Sequence, residues 1–190
     1  MDFITGLPRV QGKDCIFVVV DRLTKYAHFL AVPTDSSAFQ IAELFFREIF
    51  RLHGLPKTIV SDRDSRFMSM FWQELFRLVG TKLTPNTNYH PQMDRQIEIV
   101  NKWNEGYLKN YVSRQQHTWV RWLYLGESCY NTTWYMSIGM SPFRALYGYE
   151  ALSFMDLAFD DSKVPQAKET VQNYQDILKA LKDNIQHAQN

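Results

Sequence analysis

Cysteine is scarce in this chain. Cys15 and Cys129 are the two present in 190 residues, and their separation matches no metal-ligand spacing. A disulfide scaffold and a cysteine-based zinc site are excluded on that count. Cys15 stands in an apolar run and reads as a reduced core residue, which fits an intracellular compartment. Long apolar runs are missing as well. None reaches the length of a membrane-spanning helix and no signal peptide opens the chain, so no membrane partner is expected. An excess of one charge is also lacking, for the formal net charge is +1. A strongly basic average would argue directly for nucleic acid. Here any DNA-binding surface has to come from local clustering. Internal repeats and low-complexity tracts are absent.

What is present suffices for one well-buried domain: 45% of residues are hydrophobic and 15% aromatic. Asp2 to Leu7 reads as a strand closed by Pro8. Cys15 to Val20 is a continuous β-branched and apolar run, the mark of a strand buried on both faces. Tyr26 to Val32 is a third strand, stopped by Pro33, and the three suggest an antiparallel meander. The period then changes. Ser36 or Ser37 caps a helix carrying Ile41, Leu44, Phe45, Ile49 and Leu52, and Gly54 ends it. A short strand at Thr58 to Ser61, a helix at Met70 to Val79 and a strand at Thr81 to Thr84 follow. Helices are expected at Gln96 to Ser113, Trp119 to Tyr130 and Pro142 to Tyr147. This order predicts an α/β domain with a mixed sheet over residues 1–150. Residues 151–165 are acidic and aperiodic and read as a linker. Residues 166–190 read as a C-terminal helix, either packed back on the core or used for self-association.

Three acidic residues on separate elements stand out. Pro91 forbids helix in the loop before Gln96, so Glu98 falls in the first turn of the helix that follows. Taken alone, Glu98 is an ordinary partner for the helix dipole. Asp62 follows the apolar run Ile59-Val60-Ser61, and Asp2 lies in the apolar run that opens the chain. Asp62 alone would be a turn residue and Asp2 a terminal one. Brought together by the fold, the three would make an all-oxygen site for divalent metal. Asp64 reads as a turn or supporting residue, and Asp21 and Asp94 as solvated. His28, His53, His90 and His117 lack cysteine partners, so no zinc is assigned.

The segments Met1-Asp2-Phe3-Ile4-Thr5-Gly6-Leu7-Pro8, Val18 to Phe29 and Ile59-Val60-Ser61-Asp62-Arg63-Asp64 occur in this order. Tyr89-His90-Pro91-Gln92, Tyr130-Asn131-Thr132-Thr133 and Ser141 to Gly148 follow them. Together they resemble the integrase catalytic core of gypsy-type LTR retrotransposons, a relative of retroviral integrases, from Met1 to Tyr149. The resemblance implies a ribonuclease H-like fold, with a five-stranded mixed sheet flanked by helices. It implies that Asp2, Asp62 and Glu98 are catalytic and hold two Mg²⁺ or Mn²⁺ ions. The activity implied is 3′-end processing and DNA strand transfer, on element ends and a target duplex. Lys102 matches a DNA-contacting position, and Asn101, Tyr89 and Gln92 are further candidates for DNA contact. Self-association and action in the nucleus are implied too.

The chain departs from the family pattern in places. Arg95 stands where the family has Gly, and Met93 where Thr is commonest. One residue precedes Asp2, so the first strand is expected to be truncated. These departures point to an impaired copy. They keep open a second reading, a catalytically decayed remnant that binds DNA or protein. A nuclease of the ribonuclease H type is a third, disfavoured by the connection before the Glu98 helix.

Overall fold

The run at 15–20 is the centre of the first sheet. The computed structural model describes residues 1–85, 117–152 and 164–189, with side chains described to residues 84 and 180 in the first and last stretches. Strand β1 (Asp2–Ile4) pairs antiparallel with β2 (Cys15–Val20), in the register Asp2 with Val18, Phe3 with Phe17 and Ile4 with Ile16. β3 (Ala27–Val32) lies on the other side of β2. Cys15, Ile16, Phe17 and Val18 are all buried, as a central strand made of continuous apolar residues requires. β1 is shorter than the expected Asp2 to Leu7, and Gly6 lies beyond its end with φ 81°. The chain returns through a tight turn at Val10 to Lys13, closed by Val10 N–H to Lys13 O (2.8 Å) and Lys13 N–H to Val10 O (2.9 Å). Gln11 and Gly12 both have positive φ, the primed turn that suits the twist of antiparallel strands.

Ser37 caps the next helix, α1 (Ala38–Phe45). Its Oγ accepts from Gln40 N–H at 3.3 Å, and Gln40 Oε1 accepts from Ser37 N–H at 2.8 Å, a reciprocal capping box. The helix widens into a π-helical segment (Phe46–Phe50) and closes as α2 (Arg51–His53), which Gly54 stops at φ 75°. β4 (Thr58–Ser61) and β5 (Lys82–Pro85) pair in parallel. A parallel pair needs a crossover, and α3 (Met70–Leu78), capped by Ser69, supplies it. Five strands are therefore present among the described residues, in a three-stranded antiparallel sheet and a two-stranded parallel one. Phe17, Phe45, Phe67, Trp72 and Phe76 fill the core between these elements. Their rings meet closely, with Trp72 and Phe76 at 4.8 Å and Phe45 and Phe76 at 5.5 Å between centroids.

These elements make one compact unit, from residues 1–20 and 28–85. The described part of a second unit comprises residues 21–27, 117–152 and 164–189. Within it, α4 (Trp119–Thr132) buries Trp119, Leu123, Cys129 and Tyr130. Asn131 on the same helix is buried and grips the backbone of Ala27. Its Nδ2 donates to Ala27 O at 2.8 Å, and its Oδ1 accepts from Ala27 N–H at 2.9 Å. α5 (Pro142–Tyr147) starts with Ser141 as cap and Pro142 in the first turn, and ends at Gly148 in the left-handed conformation. α6 (Pro165–Gln189) buries Ile177 and Leu178, and its Tyr174 hydroxyl accepts from the Tyr124 hydroxyl of α4 at 3.3 Å. No helix among the described residues is long and apolar enough to cross a membrane.

Candidate active site

Asp62 follows the last residue of β4, and Asp2 is the first residue of β1. The Met1 amino nitrogen donates to Val60 O at 2.7 Å, which ties the start of β1 to the end of β4. The two carboxyl groups meet there, within hydrogen-bonding reach of each other. Both residues are half-buried. Burial, followed by the charge of Asp2, pushes the Asp62 carboxyl up to about 6. An Asp64 N–H donated to Asp62 Oδ1 at 3.3 Å works in the opposite direction, and the Asp64 charge adds a smaller push upward. Two carboxylates this close repel when both are ionised. A proton on one of them relieves the repulsion, and so does a cation shared between them.

The remaining candidates fall in several places. Glu98, Asn101, Lys102, Tyr89 and Gln92 lie outside the described residues, as does Asp94. Among the described residues no three His, Cys, Asp or Glu side chains come together as a metal cluster. The donor set described is thus Asp2 and Asp62, hard oxygen ligands that suit Mg²⁺ or Mn²⁺. Asp64 is occupied. Its Oδ1 accepts from Arg66 Nε at 2.7 Å and its Oδ2 from Arg66 Nη2 at 2.7 Å, and this pairing holds the carboxyl below its ordinary range. Asp21 is exposed, and its Oδ2 accepts from the Thr24 hydroxyl at 2.6 Å and from Thr24 N–H at 3.0 Å. His28 and His53 face each other with their Nε2 atoms 2.8 Å apart.

Arg66 has no part in the sequence reading, yet it touches both sides of the site. Its guanidinium carbon sits 3.4 Å above the Phe3 ring, next in the chain to Asp2. Its partner Asp64 donates the N–H that reaches Asp62. The available signal was the Asp-x-Arg spacing at 64 and 66, which also describes many plain surface pairs.

No family model matches the chain. Over 186 residues, 97% of its length, the chain is 33% identical to a segment of the "Transposon Tf2-3 polyprotein" of Schizosaccharomyces pombe. It spans 14% of that polyprotein. Among solved structures it is similar to the catalytic core domain of BIV integrase, at 19% identity and a TM-score of 0.56, over 75% of this chain and 91% of that one. It is similar also to the HTLV-2 integrase catalytic core domain in complex with magnesium, at 16% identity and a TM-score of 0.58, over 76% of this chain and 93% of that one. In sequence the chain is thus similar to a segment of transposon polyproteins, and its fold is the ribonuclease H-like α/β fold of the integrase catalytic core.

Proposed function

We propose that the chain is an integrase-type polynucleotidyl transferase, which trims the 3′ ends of retrotransposon DNA and joins them to a target duplex. The observation that carries this reading is the meeting of Asp2 on β1 with Asp62 just after β4 in an integrase-core fold. The parent element is a gypsy-type retrotransposon on this reading, and the two sheets are parts of one five-stranded mixed sheet.

Asp2 and Asp62 fit a hard divalent cation, because their carboxylates are crowded, half-buried and all-oxygen. Glu98 would complete the ligand set. Two bound Mg²⁺ or Mn²⁺ ions would supply Lewis-acid stabilisation of the attacking and leaving oxygens. The protein's own part is to hold the carboxylates rigidly from β1 and the end of β4, and to orient DNA. Lys102 would meet a phosphate, with Asn101, Tyr89 and Gln92 as further DNA contacts. In the first reaction water attacks the phosphorus near the element's end and the terminal nucleotides leave. In the second the freed 3′-oxygen attacks a target phosphodiester, and the target's own 3′-oxygen leaves. The proposal includes self-association and action on chromosomal DNA in the nucleus.

A strand-transfer assay with a pre-trimmed duplex tests the reading. Joined product that depends on Mg²⁺ or Mn²⁺ and is lost in Asp62→Asn supports it. Hydrolysis without joining favours a nuclease. DNA binding with neither reaction favours the decayed remnant.

A further inference from the structure

We propose that Arg66, clamped by Asp64, is a positioning residue that sets the separation of the Asp2 and Asp62 carboxylates for a shared divalent cation. The inference rests on the active-site reading above and adds to it the residues that hold the site in shape. Several contacts converge on Arg66. Its guanidinium lies 3.4 Å over the Phe3 ring, which fixes β1 at the residue after Asp2. Its Nε and Nη2 both bond Asp64, at 2.7 Å each. Its Nη1 donates to Thr34 O at 3.4 Å. In a strand, successive side chains point to opposite faces, so Phe3 gives Arg66 a hold on β1 from the face opposite the Asp2 carboxylate.

The pair is more than a surface ornament. The side chains of Arg66 and Asp64 are 11% and 21% exposed, so both are largely withdrawn from solvent. A planar fork held by two oxygens, a ring and a carbonyl has little freedom left. The turn after β4 is fixed through the same pair. Arg66 N–H donates to Asp64 Oδ1 at 2.9 Å, and Asp64 N–H reaches Asp62 Oδ1 at 3.3 Å. One side chain thus braces the backbone beside both carboxylates.

Asp64 also takes up the guanidinium fork itself, with both of its carboxyl oxygens on Arg66.

The test is Mn²⁺ affinity of the full chain, measured by calorimetry for the wild type, Arg66→Lys, Asp64→Asn and Asp62→Asn. Melting in EDTA reports the metal-free fold of each. Lys keeps the charge but loses the fork and the ring contact, and Asn keeps the shape but loses the charge. Each of these two should weaken Mn²⁺ binding by about 10–100-fold, the usual effect of removing a support behind a metal ligand. Affinity within about twofold of wild type in both, with Asp62→Asn still deficient, overturns the positioning role and leaves the active-site reading standing. Loss of the metal-free fold in both makes Arg66 a structural clamp and also overturns it. A wild type that binds no Mn²⁺, or an Asp62→Asn variant that binds as well as wild type, removes the active-site reading and this inference with it.

Discussion

The carboxyl groups of Asp2 and Asp62 lie within hydrogen-bonding reach, and burial with mutual repulsion pushes Asp62 up to about 6 from an ordinary 3.8. The consequence is a pH dependence of known sign. Between those two values the folded chain keeps a proton that the unfolded chain has released. Stability of the metal-free protein therefore falls as pH rises through that window, and levels off above it. Asp62 is half-exposed, so solvent screening limits the loss to about 1–2 kcal/mol. Urea melts in EDTA from acid to neutral pH should show the decline in wild type and a flatter profile in Asp62→Asn. A wild-type profile that rises through the same window would contradict the assignment.

Asn131 and Ala27 provide a second expectation. The Asn131 amide closes two hydrogen bonds on the Ala27 backbone in a buried setting. Asn131→Ala strands a donor and an acceptor together and should cost roughly 2–4 kcal/mol. Asn131→Asp should cost more, because it replaces the Nδ2 donor with an oxygen facing the Ala27 carbonyl and adds a buried charge. Chemical denaturation of the two variants checks the order. Asp costing less than Ala would mean that the clamp is not closed in solution.

The core makes a third. Phe76 is fully buried between Phe45 and Trp72, so Phe76→Ala should cost about 3–5 kcal/mol. Trp72 is also fully buried, yet its indole Nε1 has no hydrogen-bond partner among the described residues. Trp72→Phe removes that unpaired N–H along with some volume. The two terms oppose each other, so it should cost clearly less than Phe76→Ala. Equal losses in urea melts would show that the indole nitrogen is satisfied in solution.

Some of this was legible in the residues and some was not. The run at 15–20 announced a strand buried on both faces because nothing polar interrupts it. The serine pair at 36 and 37, of which Ser37 is the cap, and Gly54 marked a helix start and stop by chemistry that acts over a few residues. Asp62 could be placed at the end of β4 for the same local reason. The link from Asp64 to Arg66 and on to Phe3 was not legible, because it depends on which way three side chains leave two distant segments. Asn131 showed the same limit. It was readable as part of the Tyr130-Asn131-Thr132-Thr133 segment, but its grip on the Ala27 backbone, 104 residues away in sequence, exists only in the folded chain. The widening of the helix into a π-helical turn at Phe46–Phe50 had no counterpart in the residue pattern either.

The most direct test of the central claim is to locate Mn²⁺ in crystals of the full chain by anomalous scattering. The account predicts a peak bonded to carboxylate oxygens of both Asp2 and Asp62, and no such peak in Asp62→Asn. Mn²⁺ bound elsewhere with these two carboxylates free, or a proton-bridged pair that excludes the cation at neutral pH, would contradict it.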